Sequence, residues 1–256
     1  MYYCVYVKGD TITPVGEESI RWRIKAAEPK TRDAALPILL YHNIDGKGIF
    51  SVDSDALRSH FEMLRSDQIS VIRLGDFVKK LDNPASYRQK AAAITFDDGY
   101  PSMHGKLMPL AKEFNYPVTL FIYTDAIYSR SSKNLTWGQL HDLEKNGISI
   151  ESHTIGHPDL VKLHKKNTPE SKKKLFEEIY LSRRILQLYL EKPVTFFAFP
   201  YGSYSLPLIR LCRLAGYSRV FSTDYGSNIV TRNNYCLRRR HIQRNYPITA
   251  IKEMVE

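Results

Sequence analysis

The sequence predicts an α/β fold, a distorted (β/α) barrel of about seven parallel strands. From Leu36 onward, short apolar segments alternate with segments whose apolar residues recur at helical spacing. Strands that alternate with helices pair in parallel, and the repeated alternation favours a closed barrel over an open sheet. The chain has 256 residues, of which 43% are hydrophobic, so it is long enough to bury a core without disulfides.

The predicted strands are short and apolar, and they cover residues 37–42, 69–74, 91–96, 118–123, 148–152, 194–199 and 218–222. The predicted helices lie between them, at residues 53–66, 107–114, 138–146, 169–190 and 206–215. Thr168 is placed to cap the longest helix, with Pro169 at its first position. Active sites of such barrels gather where the strands end, so polar residues at those points are the candidates for chemistry.

Two domains are predicted, an N-terminal extension at residues 1–35 and the barrel at residues 36–256. Residues 2–7 have the composition of a strand. Residues 17–35 are charged, and Pro29 argues against a continuous helix there.

The formal net charge of +10 could suit an anionic partner such as nucleic acid, a cell-wall polymer or a lipid surface. Much of the basic excess lies in residues 162–174 and 238–244, and a lysine-rich run beside a helix is usually a solvated face. Because no nucleic-acid-binding motif accompanies the charge, nucleic-acid binding is not expected. The three cysteines have neither disulfide-framework nor CxxC spacing. We expect a monomer.

Two adjacent carboxylates, Asp97 and Asp98, follow an apolar strand and precede Gly99. At such a turn both side chains can reach one pocket, where one binds a cation and the other accepts a proton. The alternative is a structural turn in which an aspartate caps the following helix. The Asp-Asp-Gly motif alone leaves both interpretations open.

His153 and His157 supply two imidazoles four residues apart after another predicted strand. If this segment turns helically, both rings lie on one face and can bind one metal. With Asp98 they would form a site of two histidines and one carboxylate that leaves positions open for water and substrate. Zinc is the preferred ion for this ligand set, although cobalt, nickel or manganese could serve.

The two motifs, ITFDDGY at residues 94–100 and SHTIGHPDL at residues 152–160, together resemble the first two signature motifs of the polysaccharide deacetylases of carbohydrate esterase family four. The resemblance covers residues 36–245. In that family the first aspartate is the general base, while the second aspartate and both histidines hold the metal. The resemblance therefore implies that Asp97 is the base and that Asp98, His153 and His157 are the ligands.

Residues 197–202, FAFPYG, are similar to the third motif of the family, whose usual form is Arg-Pro-Pro-Tyr-Gly. The resemblance places Pro200 and Tyr201 against the substrate and makes the Tyr201 backbone amide an oxyanion donor. Ala198 stands where the family usually has the arginine that orients the base. We hypothesise that Arg239, in the YCLRRRHI stretch, replaces that arginine from another strand.

The general acid in most of the family is a histidine after a late apolar strand. Here the better match lies early, in ILLYH at residues 38–42, which resembles the poly-β-1,6-N-acetylglucosamine deacetylase branch with permuted motif order. A closed barrel permits this, because its first and last strands are neighbours. His42 is therefore the predicted acid and His241 the alternative, while a structural role for His42 at the strand end stays open.

Trp137 follows Thr136 just before a predicted helix, where the family often has Thr-Trp. It is predicted to bind substrate as an aromatic wall near the sugar. The alternative is a hydrophobic staple on that helix.

Together these residues predict metal-dependent hydrolysis of acetamide groups on an N-acetylglucosamine-containing polysaccharide, with release of acetate. The alternatives are a sugar-binding barrel with little catalysis and an O-acetyl esterase acting on a polysaccharide such as xylan. A metal phosphoesterase would need ligands for a second metal, and none appears at suitable spacing. The resemblance also implies an exported or cell-surface enzyme associated with the cell envelope, although residues 1–10 show no export signal.

Overall fold

A computed structural model of the chain describes residues 5–8, 11–14, 36–83, 90–128, 133–228 and 235–255. The chain divides into two units, Met1–Asp33 and Ala34–Glu256. In the first unit, β1 (Val5–Lys8) pairs antiparallel with β2 (Thr11–Pro14). The charged segment at residues 17–35 lies outside the described residues.

The second unit is built on one sheet of nine strands. They are β3 (Ile38–Tyr41), β4 (Ser70–Val71), β5 (Ala91–Asp97), β6 (Val118–Ile122), β7 (Ser149–Ser152), β8 (Phe196–Ala198), β9 (Arg219–Phe221), β10 (Cys236–Leu237) and β11 (Arg240–His241). All their pairings are parallel. The order is β10-β9-β8-β7-β6-β5-β3-β11, with β4 beside β5.

The sheet closes on itself through the chain between β10 and β11. These two strands are separated only by Arg238 and Arg239, yet they pair with opposite ends of the strand order. The predicted α/β barrel of parallel strands is therefore confirmed, with nine strands rather than about seven. The two closing strands are only two residues long, and arginines lie between them and in β11, so this stretch lacks the apolar run that marks a buried strand.

The helices lie between the strands in the alternation that the sequence predicts. They are α1 (Ser54–Ser66), α2 (Leu74–Asp82), α3 (Met108–Phe114), α4 (Thr124–Tyr128), α5 (Trp137–Lys145), α6 (Leu160–Lys166), α7 (Pro169–Phe176), α8 (Ser182–Leu190), α9 (Leu206–Leu214) and α10 (Ile248–Val255). A π-helical turn, Met103–Leu107, precedes α3, and another, Glu177–Leu181, joins α7 to α8. No described helix has both the length and the apolar character needed to cross a membrane.

Two predicted elements need correction. The strand expected at residues 69–74 is reduced to β4, because Leu74 begins α2 and its side chain packs into the core as part of that helix. The single helix expected at residues 169–190 contains the π-helical turn at Glu177–Leu181. Its predicted start is confirmed, since the Thr168 hydroxyl accepts a hydrogen bond from Ser171 N–H in a capping box.

The core holds the central strands rigidly beneath the site. Every residue of β5 is buried, from Ala91 to Asp97, and β6 is buried throughout. Burying one large apolar side chain contributes roughly 1.5–3 kcal/mol to folding. The carboxylates at the end of β5 therefore stand on one of the best-packed elements of the barrel.

Candidate active site

A cavity of about 590 Å³ opens where the parallel strands end. It is lined by residues at or just after the ends of β3, β5, β7, β8, β9 and β11, namely His42, Asn43, Lys47, Gly48, Ile49, Phe50, Ser51, Asp97, Asp98, Tyr100, His153, His157, Tyr201, Gly202, Thr223 and His241. Loops at this end of a barrel carry the active site in related architectures. The structure thus brings both aspartates, both motif histidines and both candidate acids into one pocket.

Three donor atoms converge at the floor of this pocket. His157 Nε2 lies 3.1 Å from His153 Nε2 and 3.3 Å from Asp98 Oδ1, and His153 Nε2 lies 3.7 Å from that same oxygen. A tetrahedral zinc ion with bonds of about 2.0–2.1 Å holds its donors about 3.3 Å apart. The spacing of these side chains therefore fits a single ion of that size.

The donors reach one another through an irregular turn, not through a helix. Residues 153–157 contain no helical segment, and Thr154 and His157 have positive φ angles of 78° and 56°. The Thr154 hydroxyl accepts a hydrogen bond from His157 N–H at 2.9 Å. The predicted convergence is present, but the helical spacing proposed for it is wrong.

The backbone of Asp98 is also in the left-handed region, with φ 76°. Each non-glycine residue in this region costs on the order of 1 kcal/mol of folding free energy.

His153 is held as a neutral imidazole with one ring nitrogen anchored to the backbone. Its Nδ1–H donates to the Ala198 carbonyl at 2.8 Å, so its Nε2 lone pair faces the other donors. Burial lowers the pKa of His153 to about 4, which keeps the ring uncharged at neutral pH. A neutral imidazole with its second nitrogen anchored to the backbone is the form that binds a metal.

Asp98 supplies the anionic donor. Burial alone would raise its pKa, but the neighbouring imidazoles of His157 and His153 outweigh that effect and lower it. Its Oδ1 atom is buried and has no hydrogen-bond partner among the described residues. A buried oxygen without a partner is costly, and a cation between Oδ1 and the two imidazoles would satisfy it. The residues therefore fit a divalent metal.

The carboxylate of Asp97 is held by the guanidinium of Arg239. The guanidinium donates from Nη1 to Asp97 Oδ1 and from Nη2 to Oδ2, both at 2.7 Å, and Arg239 Nε donates to the Ser222 carbonyl at 3.1 Å. Burial would raise the pKa of Asp97, but Arg239 and His153 together lower it. The hypothesised replacement for the arginine missing at Ala198 is thus in contact with the aspartate.

His42 and His241 lie side by side. His42 Nδ1 and His241 Nε2 share a hydrogen bond of 3.1 Å, because β3 and β11 are paired strands. The His241 ring also stacks on Phe50, with centroids 3.9 Å apart. Burial and the neighbouring His42 lower the pKa of His241 to about 3, which keeps His241 neutral. Phe50 has no signal in its local sequence; it reaches the pocket because the loop after β3 folds over the strand ends.

Pro200, Tyr201 and Gly202 form a short 3₁₀ turn at the rim. Tyr201 has φ 60°, its side chain is 68% exposed, and its ring lies 4.8 Å from that of His157. Pro200 is buried within the turn and does not line the cavity, so its substrate contact stays a prediction. Gly202 has φ 66°, and a Cβ there would collide with Thr223. The turn therefore presents Tyr201 to the pocket beside His157.

Trp137 does not line this cavity. Its ring stacks on Tyr189 with centroids 4.2 Å apart, and it meets Tyr128 edge to face. Thr136 caps α5 through Gln139 in a capping box. The geometry favours a packing role for Trp137 over the predicted aromatic wall at the sugar.

Comparison with known proteins agrees with this geometry. A sequence model of the family described as polysaccharide deacetylase matches residues 85–220. YxkH of Bacillus subtilis (strain 168), a protein assigned to the polysaccharide deacetylases, is 25% identical over 240 residues, covering 94% of this chain and 81% of its own. The poly-β-1,6-N-acetyl-D-glucosamine N-deacetylase of Staphylococcus epidermidis is 24% identical over 209 residues, covering 80% and 72%.

Among solved structures, the Streptococcus pyogenes deacetylase PplD in complex with acetate superposes with a TM-score of 0.78 at 21% identity. The match covers 88% of this chain and 99% of that one, so the two proteins share the fold. The family match spans more than half of the chain and includes Asp97, Asp98, His153 and His157. The chain belongs to the polysaccharide deacetylase family.

Proposed function

We propose that this protein is a metal-dependent deacetylase that hydrolyses acetamide groups on an N-acetylglucosamine polymer. The observation that carries the proposal is the convergence of Asp98, His153 and His157 on one point, with a second carboxylate beside it. Asp97 Oδ2 lies 3.9 Å from His153 Nε2. Asp97, the proposed base, therefore borders the space where a cation would bind. This arrangement provides separate groups for cation binding and proton transfer.

Asp98, His153 and His157 would hold the cation. Zinc is the preferred ion, with cobalt, nickel or manganese as substitutes. When bound, a divalent cation polarises the acetyl carbonyl and lowers the pKa of water. The neutral state of His153, which burial favours, leaves its nitrogen free to bind without losing a proton first.

The remaining residues move protons and stabilise charge. Asp97 accepts a proton from the water that attacks the acetyl carbon, and Arg239 keeps the carboxylate in place. The Tyr201 backbone N–H donates to the oxyanion that develops as the tetrahedral centre forms. His42 gives a proton to the nitrogen as the carbon–nitrogen bond breaks. One water and one acetamide thus become acetate and a free amine.

The relatives support a carbohydrate substrate of this kind. One of them is named a poly-β-1,6-N-acetyl-D-glucosamine N-deacetylase, and His42, directly after the first barrel strand, resembles the motif order of that branch. The open cavity of about 590 Å³ can admit a sugar residue within a chain. We also propose that the protein works as a monomer, exported or at the cell surface, where such polymers occur.

The test is acetate release from β-1,6-linked N-acetylglucosamine oligomers by purified protein. A strong chelator should abolish release and added zinc or cobalt should restore it. Asp98→Asn should lose both zinc binding and release, whereas Asp97→Asn should keep zinc and lose release. Full activity in the presence of the chelator, or in Asp98→Asn, would contradict the proposal.

Two alternatives are separated in the same assay. A sugar-binding barrel would bind the oligomers without releasing acetate; it is favoured by Ala198 in place of arginine and by the two competing candidates for the general acid, and the contact of Arg239 with Asp97 weakens only the first ground. An O-acetyl esterase would release acetate from acetylated xylan faster than from the N-acetylated oligomers.

A further inference from the structure

A buried carboxylate outside the pocket holds the loop that carries His157. Glu178 lies in the π-helical turn between α7 and α8 and is fully buried. Its Oε2 atom accepts hydrogen bonds from the backbone N–H groups of Ile155 and Gly156, each at 2.8 Å. These amides immediately precede His157 in the chain. The carboxylate therefore fixes the backbone from which the His157 imidazole projects.

The loop depends on such contacts because its backbone conformation is unfavourable. Thr154 and His157 both have positive φ, a region that residues with a Cβ adopt only when their surroundings impose it. Asp125 N–H donates to the Ile155 carbonyl at 2.9 Å from the opposite side. The bonds to Glu178 are charge-assisted and hence stronger than bonds between neutral groups.

Two other charged groups face Glu178. Lys174, one turn earlier, places its Nζ 3.1 Å from Glu178 Oε1. Asp125, in α4, also lies near Glu178. A Cβ added to Gly156 would be 3.3 Å from Asp125 Oδ2 and 3.4 Å from Glu178 Oε1, so both carboxylates border this glycine. Gly156 thus lies close to two carboxylates, and Lys174 supplies a counter-charge to Glu178. Such π-helical turns occur frequently at functional sites.

We propose that Glu178 is a positioning residue for the cation site. It holds residues 154–157 so that His157 Nε2 points toward Asp98 and His153, and it thereby sets the affinity for the divalent cation without touching the ion. The inference rests on the proposed function, because it assumes that these three side chains bind a cation. Groups that orient metal ligands from outside the coordination sphere commonly control affinity.

The experiment compares Glu178→Leu, Glu178→Gln and Arg183→Leu in the full chain. Zinc affinity is measured by competition with a chromophoric chelator, and thermal midpoints are measured on the zinc-free proteins. Glu178→Leu should weaken zinc binding about 10- to 100-fold. Glu178→Gln should lose much less, because its amide oxygen can still accept both backbone bonds.

Arg183→Leu is the matched control. Arg183 lies in α8 and donates to the carbonyls of Val194 and Ala215 at 2.8 and 2.9 Å, so its removal also deletes two hydrogen bonds to the backbone. Neither Val194 nor Ala215 belongs to the loop at residues 154–157 that Glu178 holds. Arg183→Leu should therefore lower the thermal midpoint and leave zinc affinity unchanged.

Unchanged zinc affinity in Glu178→Leu would overturn the inference, and so would an equal loss in Arg183→Leu. If Glu178→Leu does not fold, Glu178→Asp decides, since it keeps the charge but draws the acceptor back by one methylene group; wild-type affinity in that variant would also overturn the inference. A wild-type protein that binds no divalent cation would refute the proposed function itself. If wild type and Glu178→Leu bind zinc equally tightly, the positioning role of Glu178 is refuted, but the proposed function is not.

Discussion

Arg239 and Asp97 form a bidentate ion pair in the interior of the barrel, with both hydrogen bonds at 2.7 Å and neither side chain more than 3% exposed. The planar guanidinium matches a carboxylate edge and fixes its plane as well as its position. Arg239 also donates to the Ser222 carbonyl, so it is itself anchored to the chain after β9. One side chain thus links the chain after β9 to the carboxylate at the end of β5.

Replacing Arg239 should affect both stability and turnover. Arg239→Met leaves a buried carboxylate without its partner, so we expect a loss of about 3–5 kcal/mol in the free energy of unfolding, measured in urea. Arg239→Lys retains one charge but cannot hold both oxygens, and kcat should fall by up to about 100-fold while zinc stoichiometry is kept. The exposed neighbour Arg238 gives the control, Arg238→Met, with a change within about 0.5 kcal/mol. Equal stability of the two methionine variants would contradict this account.

Local sequence pattern was sufficient to find the strand-end residues of the site. Asp97 ends the buried strand β5 and Asp98 follows it, while His153 directly follows β7, so the rule that barrel loops carry the chemistry predicts that they lie together. The route by which His157 reaches His153 could not be read in this way. A spacing of four residues suits a helix, whereas the structure uses left-handed backbone at Thr154 and His157.

Long-range contacts were harder to predict. Arg239 is suggested only by the arginine missing at Ala198; it meets Asp97 across 142 residues of chain and lies between two strands of two residues each. Glu178 lies just beyond a lysine-rich helix that looks like a solvated face, and its contact with the loop before His157 becomes visible only in three dimensions. Neither contact has a local periodic signal.

Gly202 should be intolerant of any side chain. Its φ is 66°, and a Cβ would collide with both the side chain and the backbone of Thr223, so Gly202→Ala must displace the turn that carries the Tyr201 amide. If that amide stabilises the oxyanion, kcat should fall about 100-fold or more with zinc affinity unchanged. Gly75→Ala serves as the control, because a Cβ there meets no atom within 4 Å. Wild-type kcat in Gly202→Ala would remove the oxyanion role of this turn.

His60 should make the fold sensitive to acid. It is buried against the Tyr41 hydroxyl, 3.1 Å from Nδ1, and burial lowers its pKa from 6.5 to about 4. As the pH falls below 6.5 the unfolded chain takes up a proton that the folded protein does not, so stability is complete above pH 6.5 and is lost toward pH 4.

We therefore compare urea unfolding at pH 7.5 and pH 4.5. His60→Gln, which does not titrate, should lose less stability between these two values than wild type does, by about 2–3 kcal/mol. Subtracting the loss in His60→Gln from the loss in wild type cancels the titration of the other groups, because both proteins contain them. An identical loss in both proteins would show that His60 is protonated in the fold or does not titrate differently from the unfolded chain.

The paired histidines should divide into a proton donor and its support. His241 is kept neutral by burial, with its pKa lowered to about 3, and its ring packs against both His42 and Phe50, so His42 is the better donor to the departing amine. His42→Gln should reduce kcat by about 10²- to 10⁴-fold without changing zinc affinity. His241→Phe preserves the stack but deletes the hydrogen bond to His42 Nδ1, so it should cost less and should shift the pH profile of kcat. If His241→Phe were inactive and His42→Gln active, His241 would be the proton donor and His42 its support. Either outcome can occur because the two rings are close enough for either to face a bound acetamide.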